Sequence, residues 1–196
     1  MNTFKLFLCL AVVTFGCKRV EKKIPIVSSN LNKPESVKKL EAFEIYNHLG
    51  EKVALNSYKG QLQVVNFFFS TCPSICPAME NEIEGIATTN RSEDVVFLSV
   101  TINPEQDTIP VLWDHASQFL NKPENWFFLR TEPEDLLTVA KMYLATIDTS
   151  QNQFYHTSNA VLIDTDLNIR GLYDLLNSQE VDFLKEDIAI LLKEKD

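Results

Sequence analysis

The sequence predicts an α/β fold with a mixed central β-sheet flanked by helices. Three observations carry that prediction. Two continuous apolar runs, Gln61–Phe69 (QLQVVNFFF) and Val95–Ile102 (VVFLSVTI), have strand length and no polar face, the mark of strands buried on both sides. Apolar residues at helical spacing follow each run: Met79, Ile83, Ile86 and Ala87 after the first, and Val111, Leu112, Ala116, Phe119 and Leu120 after the second. Late in the chain, Asn159–Asp164 (NAVLID) and Ile169–Asp174 (IRGLYD) flank a polar turn and pair as a hairpin.

The first residues read as a processing segment. Lys5 precedes the apolar run Leu6–Phe15, which is too short to span a bilayer as a helix. It ends at Gly16–Cys17, and a small residue before a cysteine resembles the lipobox of bacterial lipoproteins, with Thr14 where leucine is usual. The resemblance implies that residues 1–16 are removed as a signal peptide and that Cys17 receives lipid. The protein would then be a membrane-anchored lipoprotein of the bacterial cell envelope, facing the periplasm. Residues 17–39 then form a basic, lipid-anchored tether, Ser/Asn/Pro-containing and without periodicity, and residues 40–196 form the folded domain.

Within that domain, Phe43–Leu55 has alternating character around Gly50 and predicts an N-terminal hairpin. Pro77 predicts a helix start with Cys76 at its cap, and Asp107-Thr108 before Pro110 predicts another. WFFLR is a short strand, and EPEDLLTVAKMYL is a helix opened by a proline and acids. A last helix starts near Ser178, with Asn177 and Glu180 at capping-box spacing and Val181, Leu184, Ile188 and Leu191 in one stripe.

Charge narrows the partners. The chain has a net charge of −9, unevenly spread: residues 18–39 hold seven basic and two acidic side chains, and residues 40–196 hold 10 basic and 25 acidic. An acidic body repels phosphate backbones, so nucleic acid is not an expected partner.

Of the four cysteines, Cys9 leaves with the signal peptide and Cys17 is consumed by lipid, so Cys72 and Cys76 remain to act as a pair. They stand in FFFSTCPSICPAM, where a strand runs into a loop and then a helix, the layout of thioredoxin-like proteins. A structural disulfide, a redox pair and part of a metal site are all open to them. Near a helix N-terminus, free N–H groups and the dipole favour thiolate, which suits exchange and metal ligation equally. Thioredoxin-type exchangers place a cis-proline in the loop facing the cysteines. Here no proline lies beyond Pro133, and that loop reads Phe154-Tyr155-His156-Thr157-Ser158. Two thiolates and one imidazole form a soft set of low coordination number that suits Cu(I). A structural zinc site would require four ligands, and no second cysteine pair remains. His48 and His115 are expected to be ordinary surface residues.

Four blocks in order resemble the Sco/SenC family of copper-binding, thioredoxin-fold proteins. They are FFFSTCPSICP, SVTINPEQDT, NWFFL and HTSNAVLIDTDLNIRGLYD, and the resemblance covers about residues 40–195. It implies copper, as Cu(I), Cu(II) or both, held by Cys72, Cys76 and His156. It also implies a metallochaperone serving the Cu(A) site of cytochrome c oxidase subunit II or a related copper enzyme. A second implied activity is thiol–disulfide exchange, with Cys72 and Cys76 as the redox pair that reduces client cysteines. Three positions depart from the family pattern: Asn103 for the first Asp of the D-P-x-x-D-T block, Tyr155 before the histidine, and Ser74 between the cysteines.

Overall fold

The structure, a computed structural model, describes residues 22–119, 123–148 and 155–195. The expected signal peptide, Cys9 and Cys17 lie outside the described residues, as do Leu120 and Phe154.

The elements are α1 (Pro34–Ala42), β1 (Ile45–Asn47), β2 (Lys52–Val53), a 3-10 turn (Leu55–Tyr58), β3 (Leu62–Phe68), α2 (Cys76–Thr89), β4 (Val95–Thr101), α3 (Ile109–Ala116) and β5 (Trp126–Thr131), followed by α4 (Leu136–Met142), β6 (Ile147–Asp148), β7 (Tyr155–His156), β8 (Asn159–Ile163), β9 (Ile169–Asp174) and α5 (Ser178–Lys195). Seven strands form one sheet in the order β2-β1-β5-β4-β3-β8-β9. The three central strands β3, β4 and β5 are parallel, and β1 and β8 join them antiparallel. This is the mixed, thioredoxin-like sheet that the sequence predicts.

Side chains alternate across the pleat, so each central strand feeds two cores. Val64 and Phe68 pack with Met79 and Ile83 of α2, Leu112 of α3 and Leu184 and Ile188 of α5. Val65 and Phe67 pack on the other face with Leu40 of α1 and Val139 and Tyr143 of α4. The expected runs are continuous because both faces are covered; every residue of β3 and β4 is buried. Burying each Val, Leu or Phe stabilises the fold by about 1.5–3 kcal/mol.

The N-terminal hairpin forms as expected. Gly50 takes a left-handed φ of 81°, and Asn47 Oδ1 closes the turn by accepting from the N–H groups of Leu49 and Glu51. At α5, Asn177 Oδ1 accepts from Gln179 N–H, but Glu180 reaches back to Asp174 N–H at 2.7 Å, so the reciprocal capping box is not made. In α3, Leu112 and Ala116 are buried as expected, while Val111 is exposed.

The segment expected as a tether differs most. From Lys22 the chain packs on the domain as a strap across the β9 edge. Ile24 enters one core and Leu31 the other. Ser28 bridges to Ile169, Arg170 Nε donates to Pro25 O at 3.2 Å, and Lys22 Nζ donates to Asp187 Oδ1 at 2.7 Å. Residues 34–42 then form α1, opened by Pro34. The strap covers an edge that would otherwise present unpaired backbone groups. Folded structure therefore starts well before residue 40. Two buried apolar residues seven positions apart, Ile24 and Leu31, have no period to betray them.

Candidate metal centre

The cysteine segment is built at the C-terminal end of β3. Past Phe68 the strand ends, and Cys72 N–H turns back to Phe69 O at 3.1 Å. Cys72 is half-buried, and Pro73 and Ser74 are exposed. Cys76 is the first residue of α2, with Ile75 as its N-cap, so the helix starts one position earlier than the sequence predicts and Pro77 takes its second position. A proline in the first turn forgoes a hydrogen bond that no helix makes there. Cys76 is buried, and both cysteines are free thiols.

His156 arrives from a two-stranded ribbon, β6 with β7, in which Ile147 pairs with His156. The ribbon sets the imidazole on Cys76: Sγ to Nε2 is 3.3 Å across 80 residues of sequence. On the ring's other side, Nδ1 lies 3.0 Å from Thr157 O. A carbonyl only accepts, so Nδ1 carries the proton and the Nε2 lone pair faces the sulfur. The Phe69 ring meets the imidazole edge-on at 6.1 Å.

The two thiols are inequivalent. Burial alone raises the Cys72 thiol. Hydrogen bonds from the Cys76 thiol, the Ser74 and Cys76 N–H groups and the Ser74 hydroxyl outweigh it, leaving Cys72 below its ordinary pKa. Burial, followed by its hydrogen bond to Cys72, pushes Cys76 well up. Burial lowers His156 against the opposing hydrogen bond to Thr157, so the ring stays neutral and able to ligate. As placed, the three side chains do not close on one point. Among the described residues, no three His, Cys, Asp or Glu side chains stand together closely enough to hold a metal ion. Cys76 is in contact with His156 on one side and hydrogen-bonded to Cys72, on the loop, on the other.

Both other histidines correct the sequence reading, since neither is a surface residue. His115 is 8% exposed, its Nε2 lies 2.7 Å from Glu80 Oε1, and its ring stacks on Phe68. His48 is 5% exposed, and its Nδ1 accepts from Phe128 N–H. Phe68 of β3 and Phe128 of β5 wall in His115, while Phe127 and Phe128 of β5 and Trp113 of α3 flank His48. His115 and Glu80 line the cavity of about 420 Å³ onto which Cys72 and Cys76 open, together with Phe69 and Phe119. Glu80 stands four residues after Cys76, on the same helix face, and that spacing is its signal in the sequence.

Asp107, which the sequence marks as part of a helix start, also borders the cysteine loop. It is fully buried between the start of the cysteine loop and the end of β4. Its carboxylate accepts from Ser70 N–H at 3.2 Å, from the Ser70 hydroxyl and from the Thr101 hydroxyl.

A strand running into two cysteines at a helix N-terminus, with a histidine docked on the second, is the arrangement to compare with known proteins. The SCO1/SenC family profile matches residues 32–192. The chain belongs to the SCO1/SenC family. Among SCO1/SenC relatives, the SCO1 protein homolog of Bacillus subtilis is 25% identical over 155 residues, covering 76% of this chain and 80% of that one. The SCO2-like protein RT0576 of Rickettsia typhi is 29% identical over 165 residues, covering 78% and 79%. Among solved structures, a SCO1/SenC family lipoprotein from Bacillus anthracis superposes with a TM-score of 0.70 at 24% identity, covering 76% of this chain and 92% of that one. ScoI of Bradyrhizobium japonicum, solved with copper bound, gives 0.61 at 22% identity, covering 74% and 96%. BsSco is described as a Sco-family cytochrome c oxidase assembly protein with a disulfide switch. It gives 0.64 at 26% identity, covering 75% and 89%. Among the described residues, no helix is long and apolar enough to cross a membrane.

Proposed function

We propose that this SCO1/SenC protein is a membrane-tethered copper carrier. It takes copper as cargo on Cys72, Cys76 and His156 and passes it to the Cu(A) site of cytochrome c oxidase subunit II or a related copper enzyme. The observation that carries the reading is the 3.3 Å approach of His156 Nε2 to Cys76 Sγ, with Nδ1 pinned by a carbonyl. A histidine held in that tautomer offers its lone pair where a soft ion between thiolates needs a third donor. The copper-bound relative and the oxidase-assembly relative support the same cargo and client.

Each residue has its own task. Cys72, half-exposed and thiolate-prone, makes first contact with the ion. Cys76 releases its proton as it ligates, so copper binding is proton-linked. His156 completes the set without a charge change. Hand-over proceeds by ligand exchange with client thiolates, starting at the exposed Cys72. The tether is the lipid on Cys17, which holds the domain at the periplasmic face of the cell envelope.

A second reading, thiol–disulfide exchange, draws on the asymmetry of the pair: an accessible, thiolate-prone Cys72 backed by a buried Cys76. The two readings part at His156, which exchange does not need. In a strain lacking the gene, His156→Ala should fail to restore oxidase activity at low copper while still reducing a client disulfide. Full restoration by His156→Ala would put exchange first.

A further inference from the structure

We propose that Asp107 is a positioning residue that clamps the base of the cysteine loop, so that only residues 71–75 move when Cys72 joins Cys76 and His156. The inference rests on the ligand set proposed above. Ser70 is the last residue before the exposed part of the loop, and both of its donors, N–H and hydroxyl, end on the Asp107 carboxylate. The same carboxylate accepts from Thr101, the last residue of β4, which lies beside Phe68 in the parallel ladder. Asp107 therefore ties the ends of two central strands to the start of the loop. Among the described residues it has no cationic partner. Neutral donors alone hold a fully buried carboxylate, and breaking them would leave it unsatisfied.

The placement matters because the three ligands do not yet converge. Cys76 is fixed by α2 and His156 by the ribbon and Thr157, which leaves the five residues 71–75 to supply the motion. With the base clamped, that motion is a short swing about a fixed point. Without the clamp, the swing starts from a wider range of loop positions, and the ordering cost falls on metal binding.

The test uses the mature chain as wild type, Asp107→Ala, Asp107→Asn and Ser70→Ala. Amide exchange is read without copper, and Cu(I) affinity is read by competition with a chromophoric chelator. Asp107→Ala should speed exchange at Ser70 and Cys72 while leaving Val65 and Val100 protected, and should weaken Cu(I) about tenfold, as for other residues that orient ligands. Asp107→Asn should recover most of both, since its oxygen still accepts from Ser70 N–H and Thr101 while its NH2 donates to the Ser70 hydroxyl. Added to Cys72→Ala, Asp107→Ala should cost no further affinity, because the clamp acts through Cys72. Unchanged exchange and affinity in Asp107→Ala, or an undiminished loss in the Cys72→Ala background, overturns the proposal. Should Asp107→Ala not fold, Ser70→Ala carries the same test with the same direction of change. If wild type binds no Cu(I), the ligand set fails, and the exchange data still decide the clamp.

Discussion

In the proposed copper site, Cys72, Cys76 and His156 would divide the chemistry unequally, and single substitutions should expose the division. Cys72→Ala, Cys76→Ala and His156→Ala should each weaken copper binding sharply in an equilibrium competition assay. His48→Ala and His115→Ala should retain the metal. His115→Ala should instead lower stability by about 1–3 kcal/mol in urea unfolding, because Glu80 loses its buried partner. Loss of copper in either of those variants equal to that in His156→Ala would mean the ligand set is wrong. The thiols should separate by pH as well. Cys72, held below its ordinary pKa, should react with iodoacetamide with a rate midpoint below that of a free cysteine measured alongside, and Cys76 should stay unreactive there. A single common midpoint would remove the asymmetry on which the order of ligation depends. At this scale the sequence was informative about identity and poor on environment. The spacing of Cys72 and Cys76 and the lone late histidine were visible. That Phe68 and Phe128 would wall in His115 was not, because those residues meet only after the sheet forms.

Among elements, the buried strands and the helices that follow them were legible because each carries its own period. The ribbon was not. Strands of two residues have no pattern, yet β6 and β7 place His156. The strap was missed for a related reason: Ile24 and Leu31 are isolated apolar residues in a basic stretch, and they acquire meaning only against β9 and α5. A chain beginning at residue 40 loses both. The expected result is a loss of about 3–6 kcal/mol in urea unfolding relative to a chain beginning at residue 22, from two fully buried aliphatic side chains. Equal stabilities would mean that the strap merely lies on the surface.

Across the whole molecule, the strap would set how far the domain stands from the anchor proposed at Cys17. With lipid on Cys17, only residues 18–21 separate it from Lys22, a reach of about 14 Å at full extension. Intact-mass measurement on membrane-extracted protein should find residues 1–16 gone and Cys17 modified, and a free Cys17 thiol or retained Met1 would contradict the anchor. With that proposed anchor, the acidic body would lie at the end of a short leash and its site would work close to the membrane surface. Everything the molecule does there depends on whether copper sits on these three side chains. X-ray absorption at the copper edge, on the mature chain loaded with one equivalent, tests that most directly. Two sulfur ligands and one nitrogen ligand should appear in wild type, with the nitrogen lost in His156→Ala. An identical spectrum in the two proteins, or a first shell without sulfur, would contradict it.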